Sequence, residues 1–152
     1  MTDVLTREQR RLNMSRIRGR DTKPEMLIRQ GLHARGLRFR LNVPTLPGHP
    51  DLVFPRYGVV VFIHGCFWHG HECAMFRMPD TRRDFWQGKI TGTKNRDAKV
   101  EETLLGLGWR VLTIWECSTR GRGRLPIESL LDSCIDFIQS DQETKIIQGA
   151  PL

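Results

Sequence analysis

No hydrophobic run in these 152 residues approaches the roughly 20 apolar positions that a membrane-spanning helix needs. The first twenty residues also lack the apolar core of a secretion signal. These two absences predict a soluble, cytoplasmic protein. Cysteine is scarce, with four residues in all. A chain of this length buries enough surface to do without a disulfide framework, so cysteines in a reducing compartment point to metal binding. There is no internal repeat and no visible domain boundary, which predicts one domain over residues 21–140. Acids are the minority, 17 Asp and Glu against 24 Lys and Arg, for a net charge of +7. Much of the excess is arginine and sits together: Arg7, Arg10, Arg11, Arg16, Arg18 and Arg20. The forked arginine donor matches phosphate, so residues 1–20 read as a basic arm for nucleic-acid backbone; a solvated tail is the plain alternative.

Local signals set out an α/β chain. Thr22 and Glu25 have capping-box spacing with Pro24 in the first turn, and Leu27, Ile28, Gly31 and Leu32 mark one face of the helix that follows. Leu37, Phe39 and Leu41 alternate with polar residues as a strand, and strands are also expected over 51–54 and 58–63. The third is apolar on both faces, as a central strand should be. Thr81 and Asp84 mark another helix entry, a break is expected near Gly92, and a helix from about 94 to 107 turns Val100, Leu104 and Leu107 inward. A strand over 109–117 holds Trp109 and Trp115 as core residues. A final helix carries Ile127, Leu130, Leu131, Cys134 and Ile138, and residues 141–152 read as a loose tail.

The densest chemistry lies in His64-Gly65-Cys66-Phe67-Trp68-His69-Gly70-His71-Glu72-Cys73. A helical crossover joins the strands before and after it, so a parallel pairing would set Cys117 beside Cys66. Cys66, His71, Cys73 and Cys117 would then form a closed tetrahedral zinc site of structural type. The alternative is that the cysteines are small buried hydrophobes; Cys134, on an apolar helix stripe, is expected to be one.

Asp51 opens one strand and Phe62-Ile63-His64 closes its antiparallel neighbour, which brings the carboxylate close to residues 63 and 64. Such a carboxylate beside a backbone carbonyl suits a hard divalent ion. Phe67 and Trp68 stand on a loop with no core to receive them, and Trp86 follows on a basic segment. Planar groups on a rigid loop can wedge between base pairs, most cheaply at a mismatch. One or two of the three could instead be core residues.

Several separated motifs carry a family resemblance. They are Asn13-Met14-Ser15-Arg16-Ile17-Arg18, Asp21-Thr22-Lys23-Pro24-Glu25, Leu46-Pro47-Gly48-His49-Pro50-Asp51 and His64-Gly65-Cys66-Phe67-Trp68-His69. Thr81-Arg82, Phe85-Trp86 and Trp115-Glu116-Cys117 add to them. Over residues 10–138 the chain resembles the very-short-patch mismatch repair endonucleases of the restriction-endonuclease-like superfamily. It departs from the superfamily's acid-x-Lys pattern, having Phe62-Ile63-His64 there, and that family shares the departure.

The resemblance implies a restriction-endonuclease-like mixed sheet flanked by helices. It also implies a magnesium-dependent enzyme that nicks one strand 5′ of the thymine in a T·G mismatch left by deamination of 5-methylcytosine. Asp51 would be the principal magnesium ligand, with the backbone carbonyl of Ile63. His69 would be the general base and His64 would assist at the scissile phosphate. Glu25 would orient a metal-bound water, or serve only as a helix cap. Phe67, Trp68 and Trp86 would insert beside the mismatch, with Met14 and Ile17 entering from the opposite groove and Arg16 and Arg18 in the clamping arm. Double-stranded DNA is the expected partner of a monomeric enzyme, and other mismatch-repair proteins are further candidates. The rival readings are a restriction-type or nicking endonuclease with another target, and a non-catalytic zinc-stabilised DNA-binding module.

Overall fold

A computed structural model describes residues 22–151. The arm of residues 1–20, with Met14, Arg16, Ile17 and Arg18, lies outside the described residues. Helix α1, Lys23–Ala34, starts where the capping signal places it: Thr22 Oγ1 accepts the Glu25 N–H at 3.4 Å. Three strands follow, β1 (Arg40–Leu41), β2 (Leu52–Phe54) and β3 (Val59–His64), paired antiparallel in that order. Only two residues of the expected 37–41 strand pair. Helix α2, Arg83–Gly106, leads to β4, Arg110–Trp115, and α3, Ile127–Ile138, leads to β5, Thr144–Ile147. The sheet order is β1-β2-β3-β4-β5, with β3, β4 and β5 mutually parallel.

Period-two alternation divides the strands between two cores. Leu52, Phe54, Val59, Val61, Leu112, Ile114 and Ile147 pack with Ile28 and Leu32 of α1 and with Leu130, Cys134 and Phe137 of α3. Gly31 faces Leu131 so closely that a Cβ would stand 2.4 Å from the leucine side chain, which lets α1 and α3 pack together. The opposite sheet face carries Val53, Val60, Phe62 and Val111 against Leu104 of α2. Helices therefore cover both faces, and β3 is buried as its two-sided apolar run requires. Among the described residues, no helix is long and apolar enough to cross a membrane.

Three expectations need correction. Helix α2 is continuous for 24 residues through Gly92; an interior glycine weakens a helix by about 1 kcal/mol, and no new cap follows to restart it. Leu107 lies past the helix end and is exposed. The tail is not loose throughout, because its apolar pair Ile146-Ile147 belongs to β5, with Ile147 in the core.

Candidate active site and metal centre

The parity that buries Leu52, Val61 and Ile114 turns Asp51, Phe62, His64, Thr113, Trp115 and Ile146 to the other face. They line one side of a cleft of about 490 Å³, closed by His69 of the β3–α2 loop and by Lys94, Asp97 and Glu101 of α2. Asp51 Oδ2 accepts the Ile63 N–H at 2.7 Å. In an extended strand the N–H and C=O of one residue point to the same side, so the Ile63 carbonyl also projects toward the Asp51 edge.

The Asp51 carboxyl is pushed up to about 7, first by burial and then by the Glu25 charge, against the lowering effects of the Ile63 hydrogen bond and of His69. Glu25 is itself buried in the first turn of α1, with Arg29 3.8 Å from its Oε1. A half-buried and a buried carboxylate that repel each other beside a backbone carbonyl make a hard, oxygen-rich donor set, which fits magnesium.

His64 and His69 stack with ring centroids 3.8 Å apart and planes 4° apart. Burial and the facing His69 lower the His64 pKa to about 4, so His64 is neutral at physiological pH. His69 Nδ1 lies 2.5 Å from Asp97 Oδ2. Asp97 escapes the motif reading, yet it sits three residues before Val100. Extending the inward stripe of Val100 and Leu104 by one turn reaches it, and a carboxylate on an apolar stripe is the signal that could have found it. Gly70 ends this turn at φ +63°, where a Cβ would stand 2.5 Å from Ile90 and 2.9 Å from the Lys94 side chain, so α2 closes directly over the histidines.

Behind the cleft, the metal-binding atoms of Cys66, His71, Cys73 and Cys117 lie within 4.8 Å of one another. The parallel register that pairs His64 with Trp115 brings the following residues together. His71 Nδ1 is 3.7 Å from both Cys66 Sγ and Cys117 Sγ, against about 3.6 Å between sulfur and nitrogen on tetrahedral zinc. Burial pushes the Cys66 and Cys117 thiols up. Thiols so placed favour the protonated form unless a cation offsets the charge, so three sulfurs and an imidazole fit zinc. Cys134 is in the core, as its helix stripe predicts. Trp115 is only partly buried: it stacks on His71 at 4.1 Å and stands edge-on to His64 at 5.3 Å, which makes it a wall between the two centres. Trp109 is also partly buried, packed against the smaller core cluster.

Phe67, Trp68 and Trp86 meet at the surface, with centroid separations of 5.1 to 6.0 Å. Phe76 and Phe85 extend the group, and Lys89 Nζ stands within 6 Å of the Trp68, Phe85 and Trp86 rings. Trp68 is 39% exposed and Phe85 46%. The loop thus sends histidines inward and aromatic rings outward.

Fold and site together define a mixed α/β protein whose carboxylate- and histidine-lined cleft is consistent with a nuclease. Comparison with known proteins narrows the class. The family model for "DNA mismatch endonuclease Vsr" matches residues 2–75. The DNA mismatch endonuclease Vsr of Escherichia coli (strain K12) is 44% identical over 138 residues, 91% of this chain and 88% of its own length. The Type II nicking enzyme V.XorIIP of Xanthomonas oryzae pv. oryzae is 44% identical over 136 residues, 90% of this chain and 98% of its own. The Type II nicking enzyme V.NmeAIP of Neisseria meningitidis is 43% identical over 122 residues, 80% and 87% of the two chains. The chain belongs to the Vsr family of DNA mismatch endonucleases.

Proposed function

We propose that this DNA endonuclease nicks one strand of a duplex 5′ of the thymine in a T·G mismatch, starting very short patch repair after 5-methylcytosine deaminates. One observation carries the reading beyond the family: residues 64–69 hold both stacked histidines of the cleft and the outward-facing pair of half-buried Phe67 and exposed Trp68. A single rigid loop can therefore test the stacking of a base pair and present a base to the neighbouring phosphate.

His69 is the general base. Its Nδ1 is committed to Asp97, so Nε2 is the nitrogen that takes a proton from the attacking water, and the Asp97 carboxylate stabilises the imidazolium that results. As the water oxygen bonds to phosphorus in line, the bond to the leaving sugar oxygen breaks. His64, kept neutral by its surroundings, assists at the phosphate without repelling the imidazolium. Magnesium held by Asp51 and the Ile63 carbonyl, with Glu25 nearby, would offset the charge developing on the phosphate. Zinc in the Cys66, His71, Cys73 and Cys117 cluster would hold the loop in shape. Phe67, Trp68 and Trp86 form the wedge, Met14 and Ile17 would enter from the opposite groove, and the arm with Arg16 and Arg18 would clamp the duplex. A monomer suffices, because one chain carries both wedge and cleft.

A labelled duplex with one T·G pair, against its T·A control, tests the proposal with and without magnesium. We expect a single nick in the T·G strand that requires the metal. His69→Ala should lower kcat by about 10² to 10⁴ while duplex affinity holds, and Asp97→Asn should lower kcat in the same direction. Unchanged cutting by both variants would remove the base assignment. The relatives named as Type II nicking enzymes favour a second reading, a nicking activity tied to another target. Equal nicking of the T·A control would select it.

A further inference from the structure

Strand β5 ends beside the cysteine cluster, and the next three residues are all bound to it or to its rim. Gln148 Oε1 and His71 Nε2 are 2.8 Å apart. The Gly149 N–H points at Cys117 Sγ at 3.2 Å, and the Ala150 N–H donates to the Gly123 carbonyl at 2.8 Å. A Cβ at Gly149 would stand 2.5 Å from the Cys117 carbonyl and 2.9 Å from that of Gly123, so only glycine lets the chain pass this close. Upstream, the register Val111↔Thr144 to Ile114↔Ile147 fixes β5 to β4.

We propose that residues 144–150 are a clasp whose docking is linked to zinc binding, with Gln148 the positioning residue that aims His71 Nδ1 at the three sulfurs. This rests on the zinc reading given above. A neutral imidazole carries one N–H. When the Gln148 carbonyl accepts it from Nε2, the lone pair is left on Nδ1, the atom that faces Cys66 and Cys117. Stacking on Trp115, with planes 12° apart, fixes the ring orientation. The Gly149 N–H aimed at Cys117 Sγ ties the clasp directly to a second member of the cluster. Linkage is reciprocal: a clasp that strengthens metal binding when docked is itself held down by the metal.

Chelator competition on the purified full chain tests this, using zinc alone as the probe. Absence of zinc binding by the wild type would overturn the zinc reading itself. Given zinc binding, Gln148→Leu, which keeps bulk but loses the acceptor, should weaken affinity about 10-fold, the low end for such partners because solvent reaches Gln148. Gln148→Glu, which keeps an acceptor, should stay near the wild-type value. Hydrogen exchange on the wild type gives a second readout independent of any variant's folding. The amides of 144–150 should lose protection when zinc is stripped, while those of β3 and β4 keep it. Equal zinc affinity in Gln148→Leu and wild type overturns the role of Gln148, and unchanged protection of 144–150 overturns the clasp.

Discussion

Asp51 is held in a place that disfavours its charge. Its carboxyl is pushed up to about 7, so between about 4 and 7 the folded chain keeps a proton that the unfolded chain releases. The unfolded state therefore binds fewer protons in that window, and without a divalent cation stability falls as pH rises through it, by a few kcal/mol. His64 acts oppositely: with its pKa lowered to about 4, the stability of the neutral ring is lost as pH falls from 6.5 through 4. Asp51→Asn should accordingly abolish nicking yet raise Tm at pH 8 in the absence of metal. Magnesium should stabilise the wild type at that pH and leave the variant unmoved. A variant no more stable than wild type at pH 8, or one that still responds to magnesium, would contradict this account. The pairing of Asp51 with residue 63 was legible because antiparallel neighbours fix the distance. The His69–Asp97 contact was not, because it joins a loop to a helix 28 residues away: the α2 stripe marks Asp97 as inward-facing but does not name its partner.

At the scale of elements, the two-sided apolar run of β3, the α1 cap and the last amphipathic helix were legible, since each satisfies its own local rule. The length of α2 and the existence of β5 were not. Gly92 looks like a break only if a helix must stop wherever propensity dips, whereas α2 is held by its packing across β3 and β4. Strand β5 has too few apolar residues to announce itself, and it forms because β4 offers an unpaired edge. Arg110 shows how charge is spent inside this basic chain. Its guanidinium donates to the carbonyls of Phe137, Ile138, Gln142 and Tyr57, tying the end of α3 to β4 and to the β2–β3 turn. A cation at a helix C-terminus is also favoured by the helix dipole. Arg110→Met should destabilise the protein by about 2 to 4 kcal/mol in urea unfolding. Arg110→Lys should recover little of that, because one ammonium cannot span the four carbonyls. The salt dependence of DNA binding should be the same in both variants as in wild type; a changed slope would place Arg110 at the DNA instead.

Across the whole molecule, hold and selectivity come from different chemistry. A net charge of +7 gives affinity for any duplex, and that part weakens linearly in log affinity against log salt. It carries no information about a mismatch. The exposed Trp68, with Phe67, Trp86 and Lys89 around it, offers ring faces whose insertion costs a few kcal/mol of unstacking, least at a mispaired step. Under the proposed wedge role, the link to the Asp51 cleft through residues 64–69 means that a failed insertion would also misplace His69, so discrimination should act on catalysis as well as on binding. Trp68→Ala removes a stacking surface worth about 1 to 3 kcal/mol. We expect kcat/KM on the T·G duplex to fall about 10- to 100-fold, while affinity for the T·A duplex and its salt slope stay within about twofold of wild type. If the two duplexes lose affinity equally, the ring is part of the general hold, and selectivity must come from contacts to base edges. If T·G nicking is untouched, the aromatic cluster is packing alone and the loop delivers chemistry without testing the bases.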